Sequence, residues 1–180
     1  TQEKESTTAS QYNYLYERTS IERKKMKFDI SLQANFWNES PLVLIKLNNK
    51  IIKNITNFVD KQKTNISFDV DIDEGEHQLV IERQNKTVED TVLENSEIIK
   101  DSIIGIVDVM IDTISVNTLL DQAKFFPEYP EPWSSQQKQL GKELPESYNY
   151  CRTLHHNGEW KLNFANPVHI WFFQNINVSI

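Results

Sequence analysis

Cys151, His155 and His156 are the residues of this 180-residue chain best suited by type to do chemistry. A thiol beside an imidazole makes a nucleophile–base pair, and two imidazoles can ligate zinc. They sit in "CRTLHHNGEWKLNF" (151–164), next to Asn157-Gly158, a dipeptide that favours a two-residue hairpin turn. On a strand leading into that turn, Cys151 and His155 share a face. At about 3.3 Å per residue they stand about 13 Å apart, too far to pass a proton. Neighbours on a strand point to opposite faces, so His155 and His156 cannot grip one ion without irregular backbone. The other imidazoles, His77 and His169, show no i, i+4 pairing with them. The stretch therefore reads as architecture: a hairpin with Trp160, Leu162 and Phe164 on the buried face of its returning strand.

Asp69, Asp71 and Asp73 imitate the opening of a calcium loop, D-x-D-x-D. The sixth position is Glu74 instead of glycine, and the twelfth is Val80 instead of glutamate. Phe68, Val70 and Ile72 between them are apolar at strand spacing, so the ladder reads as the wet face of a strand. No Gly-x-Ser-x-Gly nucleophile elbow occurs.

Aromatic side chains offer a different chemistry, because sugar C–H edges stack on rings while planar amides meet the hydroxyls. Trp37, with Asn35, Asn38 and Glu39 around it at a strand end, is the candidate platform. Trp160, Leu162 and Phe164 alternate like core, and Trp171, Phe172 and Phe173 read as a docked tail. "FFPEYPEPW" (125–133) carries three prolines in six residues and reads as an extended, non-sheet connection. Its Tyr129 and Trp133, and Tyr12, Tyr14 and Tyr16 of the polar start of the chain, are candidate protein contacts.

Composition narrows the classes further. A net charge of -7 argues against a nucleic-acid surface, which needs clustered Lys and Arg. No apolar run approaches the roughly 20 residues that span a bilayer. One cysteine cannot form an intramolecular disulfide, and four glycines leave no phosphate-cradling loop.

The elements that must position these residues are strands. Met26, Phe28, Ile30, Leu32, Ala34 and Phe36 alternate with polar residues. Asn48-Asn49 marks a tight hairpin, Glu74-Gly75 another turn, and 103–116 one long buried strand. Residues 134–144 predict one short helix, and 167–176 a last short helix or strand. The expected fold is all-β: a jelly-roll-like antiparallel β-sandwich with one or two short helices near the C-terminus. Residues 1–24 are expected to be a flexible or partner-docked N-terminal arm, and 25–180 a single sandwich domain with a Pro/aromatic-rich insertion at about 119–145.

The first half, from "MKFDISLQANFW" through "DIDEGEHQLVIERQNK" to "DSIIGIVDVMIDTISV", is similar to calcium-dependent, xylan-binding-type carbohydrate-binding modules. Its shared features are an Asp-x-Gly-x-His turn (Asp73, Gly75, His77), an Asn-containing loop, and an Asp that opens a strand. The second half resembles the ending of virion proteins from large tailed phages. There it is the Pro-x-Tyr-Pro-x-x-Trp segment (127–133), the Gly-His-Asn-Gly-x-Trp hairpin (155–160, with His155 in place of its first Gly) and the aromatic closing element that match. The resemblance implies a jelly-roll sandwich without catalysis, serving as a phage virion structural or decoration protein on capsid, neck or tail. Its place would be the phage particle, assembled in the host cytoplasm, and its partners other virion proteins in many copies. The alternative is a functional calcium-dependent glycan-binding module for adhesion, with surface glycans as partners. By the same resemblance Asn85, Asp90 and Asp101 would be the calcium ligands.

Overall fold

The computed structural model describes residues 25–176, so Tyr12, Tyr14 and Tyr16 lie outside the described residues. In chain order the strands begin with β1 (Met26–Asn35), β2 (Leu42–Leu47), β3 (Lys50–Ile55), β4 (Lys63–Val70) and β5 (Gly75–Gln84). Two short strands, β6 (Val92–Glu94) and β7 (Glu97–Lys100), precede β8 (Ile103–Ile111) and β9 (Ile114–Ser115). β10 (Lys124–Glu128), α1 (Trp133–Gln139), β11 (Tyr148–Asn149), β12 (Thr153–Leu154), β13 (Asn157–Asn166) and α2 (Val168–Ile176) complete the described chain.

Every strand pairing is antiparallel. One sheet runs β12-β8-β1-β4 with β9 beside β8, and the other runs β11-β10-β13-β5-β2-β3. The two face each other as a jelly-roll-like β-sandwich. The alternation of β1 explains why: Met26, Phe28, Ile30, Leu32 and Ala34 are all buried, while the residues between them are wetter. Opposite them lie Leu79 and Ile81 of β5 and Trp160, Leu162 and Phe164 of β13, also buried. Phe28 stacks on Phe68 with centroids 5.1 Å apart and meets Phe164 edge-on at 5.8 Å. Trp171 of α2 closes that end of the core, T-shaped on Phe164 at 6.2 Å. Such ring pairs add about 0.5–1.5 kcal/mol each beyond burial.

The Asn48-Asn49 turn forms as expected, with both residues at positive φ (49° and 66°) joining β2 to β3. Three expectations are corrected. Asn157-Gly158 is not a hairpin turn: β12 pairs with β8 in one sheet, whereas β13 pairs with β5 and β10 in the other. His155 and His156 are the crossover between sheets. Gly158 is required for close approach: a Cβ there would stand 2.1 Å from the Phe126 carbonyl oxygen and 2.9 Å from Pro127 Cα. Second, the proline-rich stretch does enter a sheet, as β10. β11 pairs only with Lys124 and Phe125, so from Phe126 onward β10 is an edge, where proline is tolerated. Third, 103–116 is broken by a turn at Asp112-Thr113, both at positive φ (50° and 71°). The loop after β5 also holds the β6–β7 hairpin, turned at Asn95-Ser96 (φ 51° and 67°).

Candidate functional site

Strand register brings four connections to one end of the sandwich. β1 ends at Asn35 opposite Ile103, where β8 begins, and Leu42 of β2 is opposite Gln84 of β5. Leu154 lies beside Ile104, and Glu128 beside Asn157. The segments 36–41, 85–102, 129–147 and 155–156 therefore gather there, with most of the candidate residues.

Trp37 is an exposed aromatic of this end, with 45% of its surface open. Its indole N–H donates to the Asp90 carbonyl oxygen at 3.0 Å, which fixes the ring's edge. The Lys100 ammonium lies 4.6 Å from the ring centroid, a cation–π contact that occupies one region over the ring. Asn38 and Glu39 beside it are exposed. Asn35 is not presented in the same way: its Oδ1 is buried without a hydrogen-bond partner.

Asp90 is held from below by its own loop. Thr87 N–H and Oγ donate to Asp90 Oδ2 at 2.6 and 3.2 Å, a reciprocal capping arrangement around a single 3-10 turn. Asn85, at positive φ, uses Oδ1 to accept from Leu42 N–H at 2.8 Å and Nδ2 to donate to Ser40 O at 3.2 Å. Asp101 Oδ1 accepts from Lys86 Nζ (2.6 Å), Thr91 Oγ (2.8 Å) and Ser102 N–H (2.8 Å).

These residues do not fit a calcium ion. Calcium needs six to eight converging oxygens. Here Asn85 serves the start of β2, Asp90 serves its cap, and Asp101 is taken by an ammonium. Among the described residues no group of three or more His, Cys, Asp or Glu side chains converges to hold a metal.

The missed residues are Arg83 and Lys86. Arg83, 1% exposed, donates through Nη1 to Ser102 O (2.5 Å) and Leu154 O (3.0 Å), and through Nη2 to Ser102 Oγ (2.6 Å). Burial pulls its guanidinium down to about 10, and the charges of Asp101 and Asp90 pull it back up. Burial likewise lowers Lys86, opposed first by its hydrogen bond to Asp101. Burial works to raise the Asp101 carboxyl, but the bonds from Lys86 and Thr91 outweigh it and hold it below the usual carboxylate range. The signal was present: Leu79, Ile81 and Arg83 share the inward phase of β5, so a charge at that position needed a buried partner.

The 129–147 segment docks through an aromatic group. The ring of Tyr129 meets His156 edge-on at 5.1 Å, and Trp133 lies 5.8 Å from His156 and 6.0 Å from Tyr129. Tyr129 Oη donates to Pro145 O at 2.8 Å. Burial lowers the His156 imidazole, assisted by the charge of Lys86. Cys151 is spent on structure: its Sγ–H donates to Thr153 O, and its carbonyl accepts the Trp160 indole N–H, both at 2.9 Å.

At the opposite end a cleft of about 400 Å³ is lined by Asn48, Glu76, His77, Gln78, Asn163 and Trp171, among others. Its polar groups bind each other, Asn48 to His77 and Gln78 to Asn163, both at 2.8 Å.

No protein-family model matches the chain, and no curated protein sequence matches it. Among solved structures, the chain is similar to the selenomethionine form of vCBM60, from work linking two families of calcium-dependent carbohydrate-binding modules by circular permutation. That match has TM-score 0.48 at 8% identity, over 76% of this chain and 88% of the other. It is also similar to vCBM60 in complex with galactobiose, with TM-score 0.45 at 10% identity, over 75% of this chain and 95% of the other. At such identities and TM-scores below 0.5, the chemistry has to be read from this chain's own residues.

Proposed function

We propose that the chain is a non-catalytic glycan-binding module whose stacking platform is Trp37. One observation carries this: a 45%-exposed indole, with Lys100 over part of its ring, whose edge is pinned by the Nε1–H bond to Asp90 O and which has the amide of Asn38 exposed beside it. A rigid ring costs little entropy when a sugar settles on it, and a flanking amide supplies a paired donor and acceptor for hydroxyls. Asp90 is tied up in its cap and Asp101 in its ion pair with Lys86, which suits recognition rather than catalysis. The test is a polysaccharide and oligosaccharide panel probed with the parent and with Trp37→Ala. Binding in the parent alone supports the reading, and silence across the panel sinks it.

A second reading, protein assembly, is favoured by the β6–β7 hairpin next to this platform. Leu93, Ile98 and Ile99 are 62%, 62% and 51% exposed. Leu93 and Ile98 are partners across the hairpin, and exposed apolar pairs of this kind suit protein contact. The virion role, with its place in a phage particle and its virion partners, is a proposal of this kind that rests on the motifs at 127–133 and 155–160.

A further inference from the structure

We propose that the Lys86 ammonium does in this chain the work of a bound divalent ion: it ties the 85–102 segment to the 155–156 crossover, so this end of the sandwich folds without metal. The proposal stands whether or not Trp37 binds a glycan.

The cradle around Lys86 Nζ is a cation site. Asp101 Oδ1 at 2.6 Å, Ser102 O at 3.0 Å and His155 O at 2.6 Å come from two segments far apart in the chain. One carboxylate and two main-chain carbonyls are the oxygen types that hold hard cations. An ammonium has three N–H donors, and here each of the three has an acceptor. The Lys86 side chain is 10% exposed and Asp101 is 20% exposed, so this is not a solvated surface pair.

The lysine is delivered independently of its charge. Its backbone N–H donates to Asn157 Oδ1 at 2.8 Å, and Asn157 Nδ2 donates back to the Lys86 carbonyl at 2.9 Å. That two-way clasp fixes where the stem starts, and the cradle lies at its end.

Charge balance points the same way. Arg83 and Lys86 lie within electrostatic reach of Asp90 and Asp101, two cations against two carboxylates, and Lys86 bonds Asp101 directly. A divalent ion added beside them would carry two uncompensated charges into a partly buried site, which is strongly unfavourable. Asp101 Oδ1, the carboxylate oxygen of the cradle, already accepts from Thr91 and Ser102 as well as Lys86. The clamp also reaches the surface, because the segment it closes includes Asp90, whose carbonyl anchors Trp37.

The test uses the full chain. Thermal unfolding of the parent is measured with EDTA and with millimolar calcium chloride, and calcium binding is titrated by calorimetry. Lys86→Met, which keeps the stem and removes the ammonium, is compared by Tm and by limited proteolysis of the 85–102 segment. The expected result is a parent Tm unchanged by either addition and no calcium heat. In the variant Tm falls by about 5–15 °C and the segment is cut early, as when one partner of a buried pair is removed. A calcium-raised or EDTA-lowered Tm in the parent overturns the proposal, as does a Lys86→Met protein as stable and protease-resistant as the parent. Should that variant not fold, the calcium and EDTA arms on the parent decide alone.

Discussion

Trp37 and Asp90, 53 positions apart in sequence, are joined by an indole N–H to carbonyl hydrogen bond of 3.0 Å. That bond links the β1–β2 connection to the loop after β5, so an exposed ring inherits the rigidity of a capped 3-10 turn. The same turn places the Asp90 carboxylate inward, where it is 6% exposed.

Trp37→Phe keeps a ring but loses the bond to Asp90. Glycan affinity should fall about tenfold through a looser platform, equivalent to about 1.4 kcal/mol, while Tm moves by less than about 2 °C. Calorimetric titration beside a melting curve separates the two effects.

Gly158→Ala should destabilise the fold by about 3 kcal/mol or more. The added Cβ would stand 2.1 Å from the Phe126 carbonyl oxygen, which is backbone and cannot swing aside. Urea unfolding measures the loss, and proteolysis should show the β10 edge released first. A variant within 0.5 kcal/mol of the parent contradicts the β10–β13 contact.

His156 gives the fold an acid-sensitive step. Burial lowers its folded value below the ordinary 6.5, with the Lys86, His155 and Arg83 charges acting the same way and Asp101 opposing. The unfolded chain therefore takes up this proton first. Stability is complete above about pH 6.5 and falls as the pH drops through the interval below it. His156→Phe, which preserves ring packing between Tyr129 and Trp133, should flatten Tm between pH 7 and 5 relative to the parent.

Leu93→Lys with Ile98→Lys tests the assembly reading. Both side chains are 62% exposed, so stability should change by no more than about 0.5 kcal/mol. Sedimentation at rising concentration should show association in the parent and a monomer in the variant. A parent that stays monomeric throughout removes support for a self-associating hairpin.

The sandwich was legible because its alternation is strong: β1 and β13 each bury every second residue over most of their length. Asn48-Asn49 was legible for the same local reason, a pair able to take positive φ. Asn157-Gly158 misled because glycine has two uses. At φ +133° Gly158 serves backbone approach to β10, a long-range need that the dipeptide does not reveal. Pro127 misled in a related way, since whether proline suits a strand depends on which partners that strand has. At the candidate site, the exposure of Trp37 followed from its position just past a strand end. The Lys86 cradle was not legible, because its three acceptors come from Asp101, Ser102 and His155, and two of them are main-chain carbonyls that carry no residue signature.

The most direct measurement is calorimetric titration, in EDTA, of the best glycan from the panel into the parent and into Trp37→Ala. A metal-free platform predicts undiminished binding by the parent and a loss of at least tenfold in the variant, with both proteins equally folded. Binding that disappears in EDTA, or that survives Trp37→Ala at full affinity, would contradict it.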